Sequence, residues 1–406
     1  MSAAMKDTTI GEFAPFSYGK SLPQKSRVEG LVPVYSSAGK IDYHSHCAIN
    51  GPGIIVGRKG TVGSVYISKE PFWPIDTSFY IEESPHRDLR YTYYLLHSQN
   101  LSRLNEDSAV PGLNRSAAHA VEIRVHSLSE QREIGTLLGA LDDKIELNLQ
   151  INETLEAQAL ALFRDWFTYF GPVRAKIAGE SPYLAPDLWS LFPDRLDDEG
   201  VPEGWAYSTI GAEVDAVGGS TPSTKNAEFW DGDIAWTTPK DLSGLNSPIL
   251  LETSRSITPA GLAKISSGLL PAGAVLLSSR APVGYLAINH IPLAVNQGYI
   301  AMRCEERISN YFAYLWAKQN MDLVLQNANG STFQEISKKN FRPLPVIVAD
   351  ERVHQTFDSM VKPFFEKIIA NELESRTLAH TRDLLLPKLM SGEIRISTEE
   401  LIDEAV

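Results

Sequence analysis

The sequence predicts an α+β protein: two tandem mixed α/β domains separated by two long antiparallel coiled-coil helices, a pseudo-twofold dumbbell. Three observations carry that reading. The 406 residues, 43% hydrophobic and 21% charged, have the composition of a folded chain of two or three domains. The formal charge of −13 is laid down unevenly: residues 1–128 and 201–348 sum to +1 and −1, whereas 129–200 and 349–406 carry −8 and −5. The chain also repeats itself at an offset of about 200–220 residues.

The repeat is read from ordered matches. Thr9-Ile10-Gly11 recurs as Thr209-Ile210-Gly211, and Ser21-Leu22-Pro23 as Ser220-Thr221-Pro222. Ile54-Ile55-Val56 with Val62-Gly63 recurs as Val275-Leu276-Leu277 with Val283-Gly284. Residues 75–79 match 295–299, and Leu160-Ala161 with Arg164-Asp165 recurs as Leu378-Ala379 with Arg382-Asp383. A period this long is a domain duplication, with each near-neutral block followed by an acidic segment. The expected order is a first domain at 1–128, a long helix at 129–167, a linker at 168–204, a second domain at 205–348, a second long helix at 349–390 and a tail at 391–406.

Within the blocks, short β-prone runs at 53–57, 64–68 and 273–278 are bounded by Gly, Pro and Ser. The Val-Gly pairs between them predict turns. Residues 90–104 and 310–326, rich in Tyr, Leu and Ala, predict helices. The acidic segments follow a different period. Ile134, Leu138, Leu141, Ile145, Leu155, Ala159 and Leu162 recur at spacings of three and four, with Asn148 and Asn152 on the same stripe. Ser127 and Glu130 resemble a capping box at its start. The second copy runs through Phe357, Val361, Phe364, Ile368, Asn371, Ser375, Leu378, Leu385 and Leu389. Pro363 predicts a kink there or a helix that begins near it. A helix of about 40 residues is roughly 60 Å long and cannot bury its stripe alone, so the two are expected to pack on each other. Prolines at 172, 182, 186, 193 and 202 predict a linker without a long helix.

Function classes are narrowed by what is missing. Two cysteines, Cys47 and Cys304, exclude a disulfide framework. A polar start and no apolar run near 18 residues predict a soluble, cytoplasmic protein. There is no amino-methyltransferase signature, phosphate-binding loop, dinucleotide fingerprint or nuclease set. His44-Ser45-His46-Cys47 has no second ligand pair and no counterpart in the other half, so no metal is expected. The reading is of a non-enzyme.

The chain resembles the specificity subunits of Type I restriction–modification systems. The resemblance is carried by Leu141-Asp142-Asp143-Lys144-Ile145-Glu146-Leu147-Asn148, by Ile151-Asn152-Glu153-Thr154-Leu155-Glu156 and by Leu162-Phe163-Arg164-Asp165-Trp166-Phe167. Gly171-Pro172-Val173-Arg174-Ala175-Lys176, Pro202-Glu203-Gly204-Trp205 and the stretch from Leu385-Leu386-Pro387 to Glu393-Ile394 add to it. It implies that each block is a target recognition domain reading one half of a split double-stranded DNA target, with the paired helices as a ruler for the gap. It implies two methyltransferase subunits and motor-nuclease restriction subunits as partners. S-adenosylmethionine, ATP and Mg would sit on those partners, with no cofactor in this chain. Two rival readings are a duplicated coiled-coil scaffold that reads no DNA sequence, and the specificity subunit of a related fused restriction–methylation system.

Base edges and phosphates are read by Arg, Lys, Asn and Gln. In the first block the candidates are Arg58 and Lys59, before Val62-Gly63, and Asn114 and Arg115, before the last strand. In the second they are Lys240, Arg280, Asn296, Gln297, Lys338 and Lys339. Arg280 matches the Arg58 position, Asn296-Gln297 matches Asp76-Thr77, and Gln334-Glu335 matches Asn114-Arg115. Helix pairing and register are assigned to Leu141, Ile145, Asn148, Asn152 and Leu155 against Phe364, Ile368, Asn371, Leu378 and Leu385. Because the blocks are neutral rather than basic, weak and salt-sensitive DNA binding is expected of the chain alone.

Overall fold

The computed structural model describes residues 5–104, 112–304, 307–330 and 334–396. Of the expected tail, 397–406 lie outside the described residues. The chain divides into two compact units, Met1–Ile145 with Ser375–Val406, and Glu146–Glu374. Each long helix thus contributes one stretch to each unit.

In the first unit, Gly53–Gly57 is apolar and buried throughout, so it takes an inner place in a sheet. The antiparallel order is Ser17–Tyr18, Ser78–Glu82, Gly53–Gly57, Val65–Ser68. Alternate side chains serve two cores. Ile54 and Val56 join Phe79, Tyr91 and Leu95, while Ile55 joins Ile49 and Phe72 on the other face. The second unit repeats the device in a five-stranded sheet. Its order is Asp215–Val217, Tyr299–Arg303, Val275–Ser279, Val283–Asn289, Ile249–Leu250. Val275 and Leu277 face one core and Leu276 another.

The expected turn at Val62-Gly63 lies between strands, with Gly63 at φ 74°. Val283-Gly284 does not mark a turn. It opens the strand Val283–Asn289, because this connection is shortened to residues 280–282. The helix expected at 90–104 is Leu89–Ser98 followed by a 3-10 turn, Leu101–Leu104, after Asn100 takes a left-handed φ of 48°. The one expected at 310–326 is interrupted at Asn320, whose amide donates back to the Trp316 carbonyl at 2.9 Å.

The first long helix, Leu128–Phe163, begins at the expected capping box. Ser127 donates to Glu130 from its hydroxyl at 2.8 Å and from its backbone at 3.2 Å. It ends in a π turn, Arg164–Thr168, that buries Trp166 and Phe167. The second, Glu351–Ser391, passes through Pro363 and does not start near it. Pro363 and Ser359, whose carbonyl loses its donor, are both on the exposed face, where water can replace the missing bond.

Within the second unit the helices run antiparallel, since Asn152 meets Asn371 and Phe163 meets Phe357. Within the first, Asp142 meets Arg382 at 2.6 Å, and Ile134 and Leu138 share a core with Leu386 and Leu389. The seam is shifted by one residue from the expected stripe: Phe365 is fully buried and Phe364 only partly, and Leu386 is buried more deeply than Leu385. The fully buried positions Phe357, Val361, Phe365 and Ile368 are spaced four, four and three, so the seam drifts by one residue from the four-three-four of a strict 3.5 repeat. Ile368 is fully buried, whereas Leu141, Ile145, Leu155 and Leu378 are half-buried.

The three seam asparagines are buried and hydrogen bonded. Asn371 Nδ2 donates to Asn152 Oδ1 at 2.8 Å, Asn152 Nδ2 to Glu372 at 2.8 Å, and Asn148 Nδ2 to Glu374 at 2.9 Å. Replacing Asn371 by Leu strands a buried acceptor and is expected to cost about 1–3 kcal/mol in urea unfolding. Replacing Asn152 as well should recover much of that loss. A double variant as unstable as the sum of the singles would remove the pairwise bond from this account.

Residues 168–204 are more than a linker. They form the helices Gly171–Ala178 and Pro186–Trp189, and Phe170, Val173, Phe192 and Val201 are buried against Trp166 and Trp205. The prolines keep the pieces short, but the aromatic side chains fix them to the second unit. Among the described residues, no helix is long and apolar enough to cross a membrane, and no group of three His, Cys, Asp or Glu could hold a metal ion.

Candidate nucleic-acid interface

Three loops that are far apart in sequence meet at one end of the sheet in the first unit. The Arg58 and Lys59 backbone amides both donate to the Thr77 carbonyl, at 2.9 and 3.0 Å, and the Arg58 carbonyl accepts from Leu113 at 2.8 Å. Residues 58–59, 76–77 and 112–115 are therefore one cluster. Gly19 joins it by donating to the Ser78 carbonyl at 3.0 Å. A Cβ on Gly19 would lie 2.0 Å from the Ile75 carbonyl oxygen, so only glycine permits this crossing.

The second unit builds the same cluster from the matching segments. Ser279 donates to the Gly298 carbonyl at 2.7 Å, Ile336 donates to the Ser279 carbonyl at 3.0 Å, and Arg280 bridges Glu335. A Cβ on Gly219 would lie 1.7 Å from the Val295 carbonyl oxygen, repeating the Gly19 crossing. The repeat positions assigned from sequence thus converge twice, once per unit.

The individual candidates differ in what they are free to do. Arg58 donates to the Asp76 carbonyl at 3.1 Å, and its guanidinium lies over Tyr18, 4.9 Å from the ring centre. Arg115 lies over the same ring at 4.8 Å. Lys59 is exposed beside them. Asn114 is committed to structure: its Oδ1 accepts from Ser116 at 2.8 Å and Ala117 at 3.3 Å, capping the helix Arg115–His119. His119 below is lowered from its ordinary pKa by burial, to which the Arg115 charge adds, and its Nε2 accepts the Phe16 N–H at 2.8 Å.

In the second unit Arg280 sits 4.0 Å from Glu335, a carboxylate that offsets its charge. Asn296 Oδ1 accepts from Gly298 N–H at 2.8 Å, and Gln297 Oε1 accepts from the Thr221 hydroxyl at 2.6 Å. Among the described residues, neither amide's NH2 group has a hydrogen-bond partner. Lys240 lies on the short helix Pro239–Leu242, with Pro239 packed beside Gly298. That helix is held by Asp241. Burial raises its pKa, but hydrogen bonds from Ser254, Thr238 and Thr237 outweigh it and keep the carboxyl below its ordinary value. Lys338 comes beside Gly218, and Lys338 and Lys339 open the helix capped by Ser337. Sequence reasoning missed Tyr18, because its partners Arg58 and Arg115 are distant in the chain. It also missed that Glu335 neutralises Arg280.

The comparisons with known proteins agree with this duplication. A family model described as the Type I restriction modification DNA specificity domain matches residues 4–157 and again 202–374. The chain is 28% identical to the specificity subunit of Type I restriction enzyme HindI of Haemophilus influenzae, over 70% of this chain and 71% of that one. It is also 28% identical to the specificity subunit of Type I restriction enzyme MjaIX of Methanocaldococcus jannaschii, over 86% and 78%. A crystal structure of a Type I restriction–modification S subunit from M. genitalium shares the fold, with a TM-score of 0.58 over 95% of this chain and 96% of that one at 17% identity.

Proposed function

The chain belongs to the family of Type I restriction modification DNA specificity domains, two of which it carries in tandem, and on that premise we propose that each unit reads one half of a bipartite double-stranded DNA target without doing chemistry itself. The observation that carries the proposal is the convergence, in both units, of three repeat-matched loops bearing different polar side chains on one glycine-fixed crossing. Equal frames with unequal side chains suit two unequal half-sites. The long helices set the unread gap. Two methyltransferase subunits, holding S-adenosylmethionine, flip out and modify adenine. Motor-nuclease subunits, using ATP and Mg, carry out restriction. This chain supplies the choice of site.

Footprinting of the chain with a methyltransferase partner tests this. Two protected half-sites around an unprotected gap are expected. Methylation by the purified chain alone, or protection without sequence preference, would overturn it. The ruler has its own test. Seven residues inserted into both long helices keep the seam on the same face and add about 10 Å. The gap should lengthen by about three base pairs with both half-sites unchanged; altered bases inside a half-site would exclude a ruler.

A further inference from the structure

Tyr18 lies on an edge strand and is 48% exposed, yet its ring is fixed from below by the fully buried Phe79, 5.1 Å between centroids. Arg58 and Arg115 both lie over that ring. Arg58 is further tied to the Asp76 carbonyl, which occupies one of its five N–H donors. The Arg115 guanidinium makes no hydrogen bond or ion pair among the described residues. Neither guanidinium is met by a carboxylate there, in contrast to Arg280, which faces Glu335. An exposed arginine samples many rotamers and presents its donors in no fixed direction. An aromatic ring beneath the guanidinium restrains it without consuming a donor.

Resting on the DNA-reading function above, we propose that Tyr18 is a positioning residue that holds Arg58 and Arg115 to read guanine in the half-site taken by the first unit. Guanine alone offers two adjacent major-groove acceptors, N7 and O6, which match paired N–H donors of one guanidinium. Among the described residues, the second unit has no such ring-held pair at its matching positions, so the requirement falls on one half-site.

The test uses the chain assembled with its methyltransferase partner, and DNA in which each base of the mapped target is varied in turn. Tyr18→Leu is expected to lower discrimination at guanine positions of one half-site by at least about tenfold and to leave the other half-site unchanged. Tyr18→Phe, which keeps the ring, should behave as the parent. Arg115→Lys is on an exposed side chain and leaves the fold intact. It keeps the charge but not the fork, so it should give the same guanine-selective loss. Replacing those guanines by 7-deazaguanine should erase the difference between parent and Tyr18→Leu. Equal weakening on every sequence would mean that the arginines touch phosphate and would overturn the proposal, as would a first half-site without guanine or Tyr18→Phe acting like Tyr18→Leu. If the parent complex showed no sequence preference at all, the DNA-reading function itself would fail and the role of Tyr18 with it, whereas a parent that discriminates bases and is unaffected by Tyr18→Leu would overturn the role of Tyr18 alone.

Discussion

Replacing Trp166 by Ala is expected to destabilise the second unit by about 3–5 kcal/mol, the range for removing a large buried aromatic side chain. Trp166 is fully buried, and its ring meets Phe192 at 4.9 Å, Phe357 at 6.0 Å and Phe167 at 6.2 Å. Those neighbours come from the 168–204 segment, the second long helix and the π turn itself. One substitution therefore loosens three elements at once. Urea unfolding followed by tryptophan fluorescence should show the transition of the second unit moved to lower denaturant, with the first unit's transition in place. A shift below 1 kcal/mol would mean that the segment is not anchored through this ring.

The second large effect is one of pH. His354 is 3% exposed, and burial pushes it down to about 4, with Glu213 and Asp350 raising it and Arg307 lowering it. Its Nε2 accepts the Ala349 N–H at 3.1 Å, and Phe167 stacks on the ring at 5.4 Å. The neutral ring is the folded form, so below about pH 6.5 the unfolded chain binds a proton that the folded chain does not. Stability of the second unit is fully present above that pH and is lost as pH falls toward 4, by on the order of 3 kcal/mol in all. Asp165 and Asp358 act in the opposite sense, because burial raises both; their contribution is present at low pH and is lost as pH rises through their folded values. The difference between the parent and His354→Phe isolates the histidine. The parent should lose stability more steeply between pH 6.5 and 5, and parallel pH profiles would remove His354 from the account.

The duplication and the seam were legible because both depend on order and period. Ile54-Ile55-Val56 and Val275-Leu276-Leu277 had to repeat to fill the same inner strand, and Asn148, Asn152 and Asn371 had to fall on the apolar stripe to meet. The exact phase was harder: Phe364 and Phe365 are equally apolar, and only the neighbouring core decides which turns inward. The folding of 168–204 was misread because its prolines and acidic residues are local signals, whereas Phe170, Phe192 and Val201 act through distant partners. The same limit hid Tyr18. Its neighbours Arg58 and Arg115 lie 40 and 97 positions along the chain, and no local pattern joins them. Where the candidate residues cluster was readable from the repeat; which of them keep free donors was not, because Asn114 spends its acceptor on a helix cap and Arg280 meets Glu335.

The glycine crossings at Gly19 and Gly219 have an evolutionary consequence. Each is a contact of backbone with backbone, indifferent to the side chains displayed around it. Substitutions at display positions that do not also brace the fold, as the Asn114 cap does, leave that contact untouched, so new target words can be tried there at little cost to folding. Two inherited copies of one frame can then diverge independently, each mutation altering half of a word. A chain built this way can change what it reads while keeping how it folds.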